Sequence, residues 1–201
     1  NPVAIKTNHA NGDYSFKSTT DTLNEFIAFD GSTFLTPIIA GDDLGKVENQ
    51  NLHAIDPHDL VIVTHPNFME QAEELAQIHR DQDNLSVYVT TPQQIYNEFS
   101  SGTPDVTAIR NFIRLLYDRS SGEENMIKYL LLFGDGSYDN KTTSGTNSNF
   151  IPTYQSETSL SEVNSFVSDD FYGLLDTNEG GHLGSLDIGI GRFPVQTTDE
   201  A

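Results

Sequence analysis

The segment Tyr129-Leu130-Leu131-Leu132-Phe133 is apolar at every position and stops at Gly134-Asp135. A strand with one wet face alternates apolar and polar residues. A strand apolar throughout has to be covered on both faces, as in a parallel sheet between two layers of helices. The stop at Gly-Asp delivers an acid to the carboxyl edge of such a sheet, the edge at which open α/β folds place their sites. Runs of similar character stand at Leu60-Val61-Ile62-Val63-Thr64, Leu85-Ser86-Val87-Tyr88-Val89 and Leu186-Asp187-Ile188-Gly189-Ile190-Gly191.

Helical patterns separate these runs. Asn67 is a candidate cap for a helix through Met69, Ala72, Leu75, Ala76 and His79, with acids at 70, 73 and 74 near its positive end. Thr91-Pro92 opens a short helix that reaches Phe99, with proline at the first helical position. From Val106 to Arg119, the residues Val106, Ile109, Ile113, Leu116 and Tyr117 share one helical face. Strands spaced by helices predict βαβ units, hence a three-layer α/β fold with a mainly parallel sheet.

Residues 1–46 read differently. Val3-Ala4-Ile5 and Tyr14-Ser15-Phe16 lie on either side of Asn11-Gly12, a hairpin signal, and Glu25–Phe29 is a third strand candidate. We read 1–46 as remnant strands of an upstream β domain plus a linker from Gly31, and 47–201 as the α/β unit. The 30 acids outnumber 10 bases, for a net charge of −20. That balance opposes nucleic-acid backbones and anionic membranes. No apolar run approaches the roughly 18 residues needed to span a bilayer. The chain has no cysteine, which removes disulfides, thiolate metal sites and thiol catalysis from its own residues.

Several motifs fail on spacing. Gly41-Asp42-Asp43-Leu44-Gly45-Lys46-Val47 is one residue short of a phosphate loop and ends in Val where Ser or Thr should hold magnesium. Ser137 stands one residue late for a Gly-Asp-Ser esterase nucleophile. Asp135 as a phosphoryl acceptor lacks a second acid at 137. The six histidines, at 9, 53, 58, 65, 79 and 182, show no zinc spacing.

The twelve-residue segment Asp176–Asp187 offers oxygen at its first, third and twelfth places (Asp176, Asn178, Asp187) and glycine at its sixth. That pattern is near a calcium loop, although Gly180 stands at the fifth place. An acidic, glycine-rich turn reads equally well. Asp169-Asp170 repel one another and call for a cation, with Arg192 as one partner, or else form a solvated turn.

Longer stretches carry a resemblance. They are Val47–His53, Gln94–Gly102, Ala108–Phe112, Tyr129–Asn140, Ile151–Ser156, Ser168–Tyr172 and Asp187–Val195. Over about residues 47–201 the chain resembles the gingipain-type cysteine peptidases, family C25, and within it the PorU-type sortases of type IX secretion in Bacteroidetes. Such a catalytic domain has two α/β subdomains, and this chain matches the first. The catalytic His and Cys belong to the second, so the resemblance implies no catalytic residue here. It implies instead a role in supporting the C-terminal catalytic subdomain and walling the substrate cleft. The implied parent is a cell-surface endopeptidase and transpeptidase acting on secreted proteins that carry C-terminal sorting domains. Family members bind calcium in the first subdomain, and the matching positions are Asp135, Asp176, Asn178 and Asp187, which makes Ca²⁺ the implied ion. The alternative from another class is a stand-alone, receiver-like or metal-binding α/β module using the acids near 135–139 and 169–176. A serine esterase is the third reading.

Overall fold

Asn11-Gly12 forms a two-residue turn with both φ angles positive, 55° and 88°, the turn whose twist suits antiparallel strands. It joins β1 (Asn8–Ala10) to β2 (Asp13–Ser15), with Ala10 opposite Asp13 and the His9 and Tyr14 rings stacked 4.4 Å apart. The turn lies where the sequence puts it. The strands lie at 8–10 and 13–15, with Ile5 and Phe16 outside them, because a two-residue loop makes residues 10 and 13 its flanking pair; Val3 and Ala4 lie outside the described residues. Residues 25–28 form no strand. The computed structural model describes residues 5–19, 21–28, 32, 49–120, 122, 126–139, 148–158, 160–181 and 183–201. The Gly41–Val47 segment and nearly all of the linker lie outside these. The chain divides into two units, Asn1–Val47 and Glu48–Ala201.

In the second unit, β3 (Leu60–Thr64), β4 (Val87–Thr90), β5 (Tyr129–Phe133) and β8 (Gly189–Phe193) pair in the order β4-β3-β5-β8, all parallel. Among the described residues three helices cover the sheet: α1 (Met69–Gln82), α2 (Pro92–Phe99) and α3 (Val106–Asp118). On one face Val61, Val63, Leu130 and Leu132 pack with Ile95, Ile109, Phe112 and Leu116 from α2 and α3. On the other, Leu60, Ile62, Val87 and Phe133 pack with Phe68, Ala72 and Ala76 at α1. Burial on two faces is why β3 carries an unbroken apolar run; on β5 Leu130, Leu132 and Phe133 are buried, while Tyr129 is exposed although the run is apolar throughout. Each large side chain fully buried contributes about 1.5–3 kcal/mol.

Local signals set the helix starts. Thr91 accepts from the Gln94 N–H while the Gln94 side chain bonds back to the Thr91 N–H, with Pro92 at the first position. Asp105 Oδ1 accepts from Thr107 N at 2.8 Å to start α3. Asn67 does not cap α1. It lies inside a 3₁₀ turn, Pro66–Phe68, and its own N–H donates to His65 Nδ1 at 3.3 Å. The fixed φ of Pro66 begins the turn earlier than the helical periodicity indicates. A two-stranded antiparallel piece, β6 (Tyr154–Gln155) with β7 (Val167–Ser168), is too short to leave a pattern in the sequence.

Two carboxylates tie the unit together. Asp59, just before β3, accepts from Ser86 N at 2.9 Å, Ser86 Oγ at 2.7 Å and Lys128 Nζ at 2.6 Å, joining the starts of β3, β4 and β5. Burial alone would raise its pKa; these bonds and the Lys128 charge outweigh it and bring the carboxyl to about 2. Glu98 on α2 accepts from Leu52 N and Gln50 Nε2 at 2.8 Å, from His53 Nδ1 at 2.8 Å and from His53 N at 3.2 Å. Here too burial raises and the hydrogen bonds prevail, leaving a pKa of about 2. Glu98 thus fastens residues 50–53 to α2.

Candidate functional site at the carboxyl edge of the sheet

From β3 the chain moves to β4 on one side and then to β5 on the other, so strand order reverses between β3 and β5. The crevice outside the carboxyl ends of those strands is the expected ligand position. His65 follows β3 there, and Gly134-Asp135 follows β5. Aromatic side chains stand there. The Phe150 ring lies 4.6 Å from that of His65 and 5.2 Å from that of Phe68. Gly134 has φ +147°, and a Cβ there would stand 3.0 Å from Phe150 Cβ and 3.2 Å from Ile151 Cγ1. Burial lowers the His65 pKa, and its Nδ1 already accepts from Asn67 N.

Asp135 is a tether. Its Oδ1 accepts from Gly136 N at 2.8 Å, and its Oδ2 accepts from Ser148 Oγ at 2.6 Å and Gln196 Nε2 at 2.8 Å. Its carbonyl accepts from Phe150 N and Ile151 N, both at 3.0 Å. A carboxylate so engaged is a poor phosphoryl acceptor. Ser137 Oγ accepts from Asp139 N at 3.1 Å, which makes its hydroxyl part of a turn.

Arg192, on β8, joins the rest of this edge. Its Nε and Nη2 donate to the two oxygens of Asp169, each at 2.7 Å. Its Nη1 donates to Gly134 O at 2.8 Å and Ile151 O at 2.9 Å, and Nη2 reaches Pro152 O at 3.3 Å. Bidentate pairing with carbonyls in reach is what a planar guanidinium does best. The Tyr172 hydroxyl also donates to Pro152 O, and burial pushes its pKa up. Gly136 passes close by: a Cβ there would stand 2.7 Å from Thr153 Cγ2 and 3.1 Å from Arg192 Nη1. The Gly-Asp strand end, the Ile151-Pro152 loop, Asp169 and the Gly-Arg strand therefore meet at one guanidinium. The sequence foresaw the Asp169–Arg192 pair but not the three carbonyls.

Asp135 does not join the other three predicted metal ligands, Asp176, Asn178 and Asp187. Asp135 follows β5 at the carboxyl edge, whereas Asp187 precedes β8, which starts opposite Tyr129 at the amino edge. Five paired residues, roughly 17 Å of strand, separate the two ends. Within the loop, Asp187 Oδ2 accepts from Leu175 N at 2.8 Å while Asp187 N donates to Gly173 O at 3.0 Å. These bonds commit residue 187 and delay the last strand to Gly189 instead of Leu186. Asp176 Oδ1 accepts from Tyr117 Oη at 3.4 Å, and Asn178, exposed, holds a φ of 72°. Among the described residues no three His, Asp or Glu side chains gather to hold a metal ion. The donor set does not fit a calcium cage, which takes six to eight free oxygens. The residue that sequence reasoning missed is Arg110, buried beneath this loop.

The model of Peptidase family C25 matches residues 53–201. Among solved structures, dimeric latent PorU from Porphyromonas gingivalis is similar over 77% of this chain and 15% of its own, at 38% identity and a TM-score of 0.67. The complex of RgpB pro- and mature domains from the same organism matches 70% of this chain and 26% of its own, at 20% identity and a TM-score of 0.43. No curated protein matches. The chain thus spans a small part of the length of that PorU chain. Among the described residues no helix is long and apolar enough to cross a membrane. With the family's model matched along most of the α/β unit, the chain belongs to peptidase family C25.

Proposed function

We propose that residues 48–201 are the non-catalytic α/β subdomain of a gingipain-like cysteine peptidase and transpeptidase, of the kind that removes C-terminal sorting domains from secreted proteins in type IX secretion. In the parent, at the outer cell surface, this unit supports the catalytic subdomain and walls one side of the substrate cleft. The acyl transfer would run through a cysteine supplied by that partner, because none of the 201 residues is a cysteine. This absence, in a chain similar to PorU, carries the reading. The Phe150 ring, packed against His65 and Phe68 at the usual ligand position of the fold, supports it.

A bare half of the sheet is the docking face in this reading. α1 packs over β3 and β4, while Tyr129 on β5 and Phe193 on β8 remain 48% and 44% exposed, with Gly189 and Gly191 exposed between them. Residues 194–201 leave from the end of β8, beside that face. The experiment pairs Tyr129→Ser with Phe193→Ser in a protein carrying both subdomains. Peptide cleavage should fall at least about tenfold, equivalent to about 1.4 kcal/mol, while the isolated chain keeps its unfolding midpoint. Unchanged cleavage would remove the docking assignment.

A further inference from the structure

We propose that the guanidinium of Arg110 is the resident cation of the acidic loop 176–187, and that this loop takes its shape without calcium. Asp176, Glu179 and Asp187 lie close enough in sequence to repel unless positive charge sits among them. Helix α3 supplies it. Arg110 is 8% exposed. Its Nε donates to Leu174 O at 2.7 Å, and its Nη2 donates to Glu179 O at 2.9 Å and to Leu174 O as well. Its Cζ stands 5.5 Å from the centre of the Phe171 ring. Gly180 takes a φ of +137°, a conformation that favours glycine, and the loop passes within van der Waals reach of the guanidinium: a Cβ there would stand 3.7 Å from Arg110 Cζ.

The rest of the helix face continues the pattern. Arg114 Nη2 reaches Thr177 Oγ1 at 3.4 Å, and Tyr117 Oη donates to Asp176 Oδ1 at 3.4 Å. Positions 110, 114 and 117 share one face of α3, so a single stripe of donors meets the loop. The loop's own acids complete it. Glu179 Oε1 accepts from Ser185 N at 3.0 Å, and its Oε2 accepts from Asp176 N at 3.3 Å.

A calcium ion would claim carbonyl and carboxylate oxygens at about 2.3–2.6 Å. Here the Leu174 and Glu179 carbonyls face a guanidinium, and Asp187 Oδ2 caps Leu175 N. Burial and the neighbouring Arg114 lower the Arg110 pKa, while Glu179 and Asp187 oppose them. An arginine in that setting stays charged at any working pH. Arg110 is a positioning residue: by fixing the loop it sets where Asp187 turns back to Leu175 and hence where β8 begins.

The test is thermal unfolding in EDTA and in excess calcium, together with amide exchange of residues 174–187, for the protein and for Arg110→Met and Arg110→Lys. The protein should melt at the same temperature in both buffers, because a bound ion would add stability by mass action. Arg110→Met should lower the midpoint by about 5 °C or more and speed loop exchange at least about tenfold, with β3 exchange less affected. Arg110→Lys, which keeps the charge without the fork, should fall between and stays informative if Arg110→Met does not fold. A calcium-dependent rise in the protein's midpoint that Asp187→Ala abolishes would overturn the proposal. So would loop exchange unchanged in Arg110→Met or Arg110→Lys.

Discussion

Replacing Arg192 by methionine keeps an apolar stem and removes all five hydrogen bonds that the guanidinium makes at the carboxyl-edge junction. The Arg192 and Asp169 side chains are 12% and 25% exposed. A fully buried ion pair that loses one partner costs about 3–5 kcal/mol, and an exposed one about 0–1 kcal/mol. The opening at Asp169 places this pair between those limits, near 2 kcal/mol. The carbonyls of Gly134 and Ile151 also lose donors at 2.8 and 2.9 Å; water reaching the gap limits that loss to about 1 kcal/mol together. The Pro152 contact at 3.3 Å adds little. Arg192→Met should therefore cost about 3 kcal/mol, read as a lower urea midpoint at constant slope by far-ultraviolet circular dichroism. In heat, about 6–12 °C should be lost for a chain of this size. Arg192→Lys keeps the charge but cannot grip both Asp169 oxygens, so it should recover less than half. A loss below about 1 kcal/mol for Arg192→Met, or full stability in Arg192→Lys, would refute the reasoning that this fork joins the motif segments.

Acid stability follows from Asp59 and Glu98. Both carboxyls are held at about 2, below the unfolded values of about 4, so their stabilisation is complete above pH ~4 and is lost as pH falls toward 2. Urea midpoints should drop across that window, and the drop should shrink in Asp59→Asn and in Glu98→Gln; equal drops in all three proteins would contradict the assignment. Gly136→Ala should cost about 1–3 kcal/mol, since its Cβ would stand 2.7 Å from Thr153 Cγ2 and 2.9 Å from Ile151 O. Gly191→Ala, whose Cβ would meet only Leu131 Cδ1 at 3.8 Å, should be within about 0.5 kcal/mol of the parent, and equal costs in the same urea titration would show that the close approach at Gly136 is not what matters.

The strands and helices that the sequence located best are those whose cause is local. An all-apolar run marks β3 and β5, Thr91-Pro92 with Gln94 marks α2, and Asn11-Gly12 marks the first turn. Elements set by tertiary partners were displaced. β8 starts late because Asp187 serves Leu175 and Gly173, and α1 starts through Pro66 and not through an Asn67 cap. Arg110 stands next to Ile109 in the helical pattern, and the pattern gives it no partner. Only the carbonyls of Leu174 and Glu179, more than sixty positions on, reveal its role. One signal was present and unused: in a parallel pair, an acid after one strand and an acid before the other occupy opposite edges. That alone separates Asp135 from Asp187.

The central claim is that this unit supports chemistry it does not perform. The most direct measurement is turnover of a fluorogenic peptide by the purified 201-residue chain, beside a longer protein in which the same unit is joined to the proposed cysteine-bearing subdomain. The account predicts no turnover by the chain alone, and turnover by the longer protein that vanishes when its cysteine becomes alanine. Cleavage by the chain alone, with no thiol to attack the peptide bond, would contradict it.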